Sequence, residues 1–472
     1  MENKKNFSYF KLSTKQLIAI LSVSASAFMS VLVETSMNVT FPRLIKEMDV
    51  PLDTIQWITT GYLISSALII TLSSFLKQRF TNLKLFIAAN LLFLIGNIIC
   101  MLSNAFPILL LGRIIQAGCA GISLPLQYNL IFDMVPRRKV GYYVGLALLV
   151  VMVAPALGPS FGGFILEWLG WRAIFAIPLP ITLIILIIGI STIKQYSKLK
   201  KVHFDWIGLI LLTIIFVILG IGINNLGRPN LISWTFLVGI LLFVFSSTFF
   251  IVHSKKTNNP LFNIFLFKKP LFIYSFITYS LLQFTNMGAN FLLPNYAQYV
   301  YHASSFIAGF ILFPGSLISA IFQPYFGRLL DQHGARLPLT IGNTLIAVST
   351  LIFIIVHGRL GIWFAVIFYI FFSIGRSMDF SNSLTNGLKE FQGKQRADAN
   401  ALYSTGQQYA GSIGTTVLAT IVAAIKLPGT SQTTNITISS EFAIGVLFII
   451  ALINFALMHL TFKHENHYDV SH

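Results

Sequence analysis

A lone carboxylate stands inside the first long apolar run of the chain. Glu34 lies within the segment 17–41, which is otherwise free of acidic residues. An ionised carboxylate at the depth of a bilayer is costly, so such a residue faces a cavity, pairs with a base or takes up a proton. A structural bond to a neighbouring helix is the alternative. We expect Glu34 to bind a proton or a cation.

A second pair of charges lies inside the segment 361–385. Arg376 and Asp379 are three residues apart, a spacing that puts both on one face of a helix. Arg376 is therefore a candidate charge partner for Asp379, and a local ion pair is one reading. In the other reading Asp379 stays negative, and it then flanks a central cavity together with Glu34.

Arg113 and Gln116 share the apolar segment 106–131. A buried arginine needs a carboxylate or several carbonyl groups around it, and Glu34 is a candidate partner. Asp133, near the end of the same segment, favours a salt bridge at a helix end. Other polar residues either line a pathway or join helices by hydrogen bonds, and the sequence does not rank them. They are Asn38, Gln127, Tyr128, Asn129, Asn286, Asn290, Gln407 and Gln408.

Apolar runs of membrane-spanning length must position these groups. At about 20 residues for each span, we expect fourteen transmembrane helices. They cover 17–41, 54–76, 84–103, 106–131, 141–165, 172–193, 206–226, 232–252, 271–293, 306–326, 337–356, 361–385, 401–425 and 441–462.

The composition agrees with an all-α polytopic membrane protein. Only 10% of the residues are charged, against about 25% in soluble domains, and the mean hydropathy is +0.78. The net charge of +17 is spread in short clusters between apolar runs, which favours membrane lipid over nucleic acid as the partner. Cys100 and Cys119 lie inside apolar runs and support neither a disulfide framework nor a metal site.

The distribution of Lys and Arg orients the chain. With the N-terminus inside, 24 of the 32 basic residues fall in inner segments, six fall in outer segments, and Arg113 and Arg376 lie within spans. Basic residues concentrate on the cytoplasmic side of membrane proteins. We therefore expect both termini to be cytoplasmic.

An internal repeat divides the chain. The short basic segments 75–84 and 327–336 occupy equivalent places in two six-span halves. Such parallel halves place a solute site at their interface. We expect an N-terminal half at 1–193, an inserted pair of helices with flanking loops at 194–260, and a C-terminal half with a tail at 261–472.

The fifth span is unusually rich in helix breakers. Pro155, Gly158, Pro159, Gly162 and Gly163 fall within nine residues. Backbone groups freed by proline need partners from neighbouring helices, and glycines allow close approach, so this span belongs inside a bundle. With the Trp-Arg pair at 171–172, the stretch resembles the fifth-span signature of drug:proton antiporters of the major facilitator superfamily. The similarity is to their fourteen-span branch, which includes multidrug and lincomycin-type efflux proteins.

Other parts of the chain support that resemblance. The surroundings of Glu34 resemble a glutamate-bearing subgroup of first-span signatures. Arg113 and Gln116 match the fourth-span signature, in which the arginine is implicated in coupling protons to transport. The segment 327–336 matches the loop signature that latches neighbouring helices, whereas the first-half copy departs from it. The residues that match are Arg79, Gly327, Asp331, Gly334 and Arg336.

The resemblance implies a major facilitator fold and proton-coupled export of amphipathic, cationic compounds by alternating access. A proton-coupled uptake carrier of a small solute is the nearest alternative, and a membrane-embedded enzyme is weaker, because the sequence contains no nucleophile elbow or paired metal ligands. We therefore expect no enzyme activity, no catalytic or metal-binding residues, no cofactor and no ATP drive. The expected setting is a bacterial cell membrane, with protons, amphipathic substrates and lipid as partners and a monomer as the functional unit.

Overall fold

The computed structural model describes residues 12–135, 140–199, 203–225, 234–257, 260–261, 263–356, 361–389, 391, 393–425 and 429–469, and this part of the chain is helical. The helices are α1 (Thr14–Ser36), α2 (Phe41–Met48), α3 (Leu52–Ile55), α4 (Trp57–Thr71), α5 (Ser73–Arg79), α6 (Asn82–Leu102), α7 (Phe106–Met134), α8 (Val140–Leu169), α9 (Ala173–Ala176), α10 (Pro178–Thr192), α11 (Trp206–Asn225), α12 (Trp234–Lys256), α13 (Pro270–Val300), α14 (Ser305–Phe310), α15 (Phe313–His333), α16 (Arg336–Val356), α17 (Ile362–Gly387), α18 (Gly393–Ala424) and α19 (Gln432–Asp469). Short 3₁₀ turns cover Met37–Val39 and Ile264–Lys268.

Eleven helices in the described part are long and apolar enough to cross a membrane. The count rises to twelve if the pair Leu52–Thr71 and Ser73–Arg79, bent by 50°, is one span. Helices α13 and α18 are 31 and 32 residues long but are not among the eleven. The structure therefore shows a multi-pass helical membrane protein with about eleven to twelve apolar helices.

Local sequence explains where several helices begin. Ser13 caps α1 by accepting from the Gln16 amide, and the Gln16 side chain accepts from the Ser13 amide in return. Thr81 caps α6 in the same position. Pro270 opens α13, where its missing N–H costs nothing because the first amides of a helix have no partner within the helix.

The long helices pack in two groups that meet at one end of the molecule. One group contains α1, α4, α6, α7, α8 and α10, and the other contains α13–α19. Between them, the hydroxyls of Thr60 and Thr416 are 3.0 Å apart, and Asn295 Nδ2 donates to the Asn38 carbonyl at 3.2 Å. Asn38 follows the end of α1, so these contacts close the bundle at the end away from the described start of the chain.

Helices α11 and α12 form a hairpin at the side of the bundle. The ring of Phe216 on α11 stacks on Tyr409 of α18 with centroids 3.8 Å apart. Below them, Asp205 Oδ1 accepts from the Gly208 amide at 2.8 Å and contacts His253 Nε2 at 2.6 Å, which ties the two helices together. Only 17% of the most apolar stretch of α12 is buried inside the protein, so the surface of this helix is suited to lipid contact.

Candidate functional site

Glu34 lies in the last turns of α1 and is 2% exposed. One turn earlier, Ser30 Oγ lies 2.7 Å from the hydroxyl of Tyr62 on α4. One turn is the spacing at which helical side chains lie one above the other, so Glu34 and Tyr62 are neighbours. The expected intramembrane carboxylate is therefore buried beside a second helix.

Arg113 is the centre of a buried polar network that includes Tyr62. Its guanidinium carbon lies 4.3 Å from the centre of the Tyr62 ring, and Nε donates to the Ile58 carbonyl at 3.2 Å. Nη1 donates to Gln116 Oε1, and Gln116 Nε2 donates to Asn97 Oδ1 at 3.0 Å. The network explains how a fully buried arginine is tolerated, because a ring face, a carbonyl and an amide replace its water.

Arg113 and Glu34, which were expected to be partners, are not in direct contact. The two groups, both in the described part of the chain, interact electrostatically but form no ion pair. Arg113 Nη2 has no hydrogen-bond partner among the described residues. The site is thus an acid and a base that both lie close to Tyr62, with one donor of the base unused. In this arrangement a proton on Glu34 changes the balance of the charges.

Asp379 departs from its expected surroundings. It is 1% exposed, and an added Cβ at Gly342 of α16 would lie 2.3 Å from its Oδ1. It therefore lies in the seam between α16 and α17 and does not face Glu34 across a central cavity. No ion pair joins it to Arg376, although the structure describes both residues; Arg376 instead lies over the ring of Phe380, at 5.5 Å from the centroid. The spacing of three residues was sufficient for contact but did not determine how each side chain turns.

The breaker-rich stretch lies at the crossing of α1, α8 and α14. Helix α8 continues through Pro155 and Pro159. An added Cβ at Gly158 would lie 1.8 Å from Thr35 Oγ1, and one at Gly162 would lie 2.5 Å from the Ser36 carbonyl. These contacts are why glycine is needed there, because α1 and α8 touch backbone to backbone.

The last glycine of the stretch faces the other group of helices. An added Cβ at Gly163 would lie 2.2 Å from the Ser305 carbonyl, and one at Gly309 of α14 would lie 2.0 Å from the Pro159 carbonyl. Small residues on both sides let α8 and α14 close against each other. The stretch therefore forms part of the seal between the two helix groups.

The Trp-Arg pair after α8 anchors the short helix α2. Trp171 Nε1 donates to Glu47 Oε2 at 2.7 Å, and Arg172 Nη1 lies 3.7 Å from the same oxygen. Partial burial acts to raise the pKa of Glu47, but hydrogen bonds from Trp171 and Arg43, with the charges of Arg43 and Arg172, hold it below its ordinary value. Glu47 was not singled out from sequence, since an acidic residue in a loop carries no signal of its own.

The residues that match the loop signature lie partly in helices and partly in the turn between α15 and α16. Arg79 is exposed at the end of α5. Gly327 and Asp331 fall inside α15, which runs on to His333, so the expected loop is shorter than 327–336. Gly334 makes the turn with φ +70°, and Arg336 opens α16 with its guanidinium 6.0 Å from the Phe462 ring. The side chain of Asp331 lies outside the described part.

Most of the other polar residues join helices. Asp133 forms the expected helix-end salt bridge with Lys77, at 3.3 Å. The pairs are Thr59 Oγ1 to Asn38 Oδ1 at 3.4 Å, Ser24 Oγ to Gln127 Oε1 at 3.2 Å, Tyr369 OH to Asn290 Oδ1 at 2.9 Å, Tyr279 OH to Gln407 Oε1 at 2.8 Å, and Gln408 Nε2 to Ser66 Oγ at 3.0 Å. Asn286 is 7% exposed. For the paired residues hydrogen bonding between helices is the observed role.

Sequence reasoning missed Tyr62, Ser30 and Asn97, which complete the network around Arg113. Uncharged residues in apolar runs are common here, with 16 tyrosines in the chain, so none stood out. The described residues contain no group of three or more His, Cys, Asp and Glu that could hold a metal ion. Cys100 and Cys119 are buried free thiols.

The structure is that of a multi-pass helical membrane protein in which one of the two helix groups buries an acid, Glu34, and a base, Arg113. Residues 23–415 match the profile of the Major Facilitator Superfamily. The chain therefore belongs to that superfamily, as the resemblance implied.

The chain is also similar to individual transporters in sequence and in fold. The chain is 32% identical to the lincomycin resistance protein LmrB of Bacillus subtilis over 87% of its own length and 86% of the relative. It is 29% identical to the multidrug export protein EmrB of Escherichia coli over 70% and 65% of the two chains. A bacterial homologue of the human lysosomal transporter Spinster shares the fold, with a TM-score of 0.68, 14% identity and coverage of 96% and 99%.

Proposed function

We propose that this chain is a proton-coupled exporter that moves amphipathic, cationic compounds out of a bacterial cytoplasm by alternating access. The observation that carries the proposal is a buried carboxylate, Glu34, that interacts electrostatically with a buried arginine, Arg113, without forming an ion pair. The names of relatives, a lincomycin resistance protein and a multidrug exporter, support drug efflux.

The proposed topology has fourteen spans and cytoplasmic termini. Helices α13 and α18 supply two further spans, and their polar residues belong to the facing surfaces of the two halves at 1–193 and 261–472. The inserted hairpin at 194–260 lies beside α4 and α18. With this orientation the closed end of the bundle is the outer end, and the protein acts as a monomer in the cell membrane.

Glu34 is the proposed coupling residue. A proton from outside neutralises the carboxylate and releases a cationic substrate, and the neutral site can then face inward. Loss of the proton to the cytoplasm restores the negative charge that attracts the next substrate. Arg113, positioned by Tyr62 and Gln116, stabilises the ionised state. The preference for cations rests on Glu34 alone, since Asp379 lies in another seam.

The experiment uses energised inverted membrane vesicles, to which lincomycin or tetraphenylphosphonium is added. Loss of protons from the vesicle lumen on addition of either compound indicates antiport. The response is expected in the parent and in Asp133→Asn, a control that removes a carboxylate from a helix-end salt bridge. It is expected to vanish in Glu34→Gln, which keeps the side chain's size but cannot ionise.

Two results would contradict the proposal. Full substrate-evoked proton release by Glu34→Gln would remove the coupling role from that residue. Proton-driven entry of a solute into right-side-out vesicles, without any response in inverted ones, would favour the uptake carrier.

A further inference from the structure

The crossing of α6 and α7 recurs between α16 and α17. Helices α6 and α16 each carry Ile-Gly-Asn, at 95–97 and 341–343. Helices α7 and α17 carry Gly-Arg-x-x-Gln at 112–116 and Gly-Arg-x-x-Asp at 375–379. The same two short sequence motifs therefore occur in two pairs of packed helices, one motif on each helix of a pair.

The three-dimensional contacts of the two crossings match. An added Cβ at Gly112 would lie 3.1 Å from the Gly96 carbonyl, and one at Gly375 would lie 2.4 Å from the Gly342 carbonyl. The first glycine of each pair lies in turn against the last residue of the second motif. A Cβ at Gly96 would be 2.7 Å from the Gln116 amide nitrogen, and one at Gly342 would be 2.3 Å from Asp379 Oδ1.

The second crossing lies at a different depth. Gly112 follows the first residue of α7 by six positions, whereas Gly375 follows the first residue of α17 by thirteen. Gly96 follows the start of α6 by fourteen positions, and Gly342 follows the start of α16 by six. Both helices thus shift the crossing by seven or eight residues, about 10 Å, toward the end of the bundle that holds the turn at Gly334.

The last residues of the two Gly-Arg motifs, Gln116 and Asp379, differ in hydrogen bonding. Gln116 is fully satisfied, since it accepts from Arg113 and donates to Asn97 at 3.0 Å. Neither oxygen of Asp379 has a hydrogen-bond partner among the described residues. An ionised carboxylate without donors in an apolar seam is strongly disfavoured, and the neutral acid is the form that this seam accommodates.

A polar face leads from Asp379 to the end of α17. Asn382 and Asn386 follow at spacings of three and seven residues, which puts them on the same side of the helix, and they are 1% and 0% exposed. Neither amide group has a partner in the part of the chain that the structure describes. Because buried amides require partners, water is expected to meet them when the seam loosens. The face ends at Gly387, about 12 Å along the helix from Asp379.

Few ionisable groups face this seam. Helix α16 carries none beyond Arg336, its first residue. Arg376 lies on α17 itself, and Tyr279 of α13 stacks on Phe380. The last nine residues of α15 carry Tyr325, Arg328, Asp331 and His333. The protonation of Asp379 is therefore governed by the seam and by access to it.

We propose that Asp379 is a second proton site, loaded and emptied through the α16–α17 seam from the proposed cytoplasmic end, and separate from Glu34. It adds a second proton to the exchange proposed above. The carboxylate takes up a proton on one oxygen when the seam is open and holds it while the seam is closed. The glycine crossing at Gly342 and Gly375 allows the helices to approach closely enough to exclude water from the acid.

The test is an infrared titration of the full chain in lipid nanodiscs without any substrate. Buried carboxylic acids give a C=O stretch that disappears on ionisation, and two such pH-dependent bands are expected. Asp379→Asn is expected to remove one and Glu34→Gln the other. Asp133→Asn, whose carboxylate is paired with Lys77, is the control and retains both bands.

A second variant, Asn382→Leu, keeps the inference testable if Asp379→Asn fails to fold. Asn382→Leu keeps the acid but removes one amide from the route, so the Asp379 band is expected to respond severalfold more slowly to a pH jump. In transport assays with lincomycin, the proton-to-substrate ratio is expected to fall twofold in Asp379→Asn.

Three outcomes would overturn the inference: a spectrum of Asp379→Asn equal to that of the parent, a band from Asp379 that does not change with pH, or an unchanged response in Asn382→Leu. The titration contains no substrate. Failure of the proposed drug export would therefore leave two bands in place, whereas failure of this inference leaves only the band of Glu34.

Discussion

The closure of α8 against α14 can be tested by adding one methyl group. Gly163→Ala places a Cβ 2.2 Å from the Ser305 carbonyl oxygen and 2.8 Å from the Phe306 Cα. Ordinary contact starts at 3.4 Å, so the helices must separate by about 1 Å. The neighbouring atoms are backbone, and therefore no side chain can turn away to relieve the contact.

The magnitude follows from that overlap. Overpacking of a tight contact costs about 1–3 kcal/mol. Because this contact joins the two helix groups, the cost falls on the conformation in which they are closed at this end. The population ratio of closed to open molecules is then expected to fall roughly 5- to 150-fold.

The assay is a distance measurement between spin labels across the seal. Trp168→Cys at the end of α8 and Ile307→Cys on α14 are suitable positions, being 73% and 43% exposed. The buried native thiols, Cys100 and Cys119, are replaced by alanine. Gly163→Ala is expected to move the distance distribution toward the longer, open population.

Gly445→Ala is the matched control, because Gly445 lies in α19 and an added Cβ there meets nothing within 4 Å. It shares the gain in helix propensity, about 1 kcal/mol, without the clash. If Gly163→Ala and Gly445→Ala gave the same distance distribution, the reasoning that glycine at this crossing is required for closure would be refuted.

Three further predictions concern other contacts. Since the pKa of Glu47 is lowered in the folded protein, its stabilising effect is present above the ordinary glutamate pKa of about 4.3 and is lost as pH falls through the lower folded value. Thermal melting against pH should therefore show an acid-side loss that is weaker in Glu47→Gln, and equal curves would contradict this. Arg113→Lys cannot keep the bonds to both Ile58 and Gln116 and is expected to lower the free energy of unfolding by about 1.5–3 kcal/mol, measured by melting in detergent; an unchanged melting temperature would argue against the network. Asp205→Ala removes the cap of α11 and its contact with His253, so hydrogen exchange in the first turn of α11 should quicken by the equivalent of about 1 kcal/mol, and exchange at the parent rate would show that the hairpin does not depend on it.

Much of the helical framework could be predicted because its signals are local. The apolar runs, the cap at Ser13 and the prolines at helix starts act within one or two turns of the chain. A salt bridge of Asp133 was also predictable, although its partner was not, because an acidic residue at a helix end in a basic region pairs with a nearby Lys or Arg. The loop around Asp331 was predicted too long, because the helix signal of α15 continues across its polar end.

The candidate site was predictable only in part. Glu34, Arg113 and Asp379 stood out because charge is rare in apolar segments. Their partners did not, since Tyr62 is 51 residues from Arg113 and Gly342 is 37 residues from Asp379 in the chain. The pairing of Arg376 with Asp379 failed for a related reason: a spacing of three fixes proximity along a helix, whereas the neighbouring helices decide which way each side chain turns.

The sequence by itself determined that the chain crosses a membrane many times, and which residues are too polar or too small for lipid-facing positions. These follow from transfer free energies and helix periodicity, which depend on local sequence. The tertiary structure alone decided that Gly163 seals α8 against α14, that Tyr62 lies close to both Glu34 and Arg113, and that Asp379 lies in the seam between α16 and α17. Such contacts depend on the rotation and depth of each helix against its neighbours, which helix periodicity leaves free.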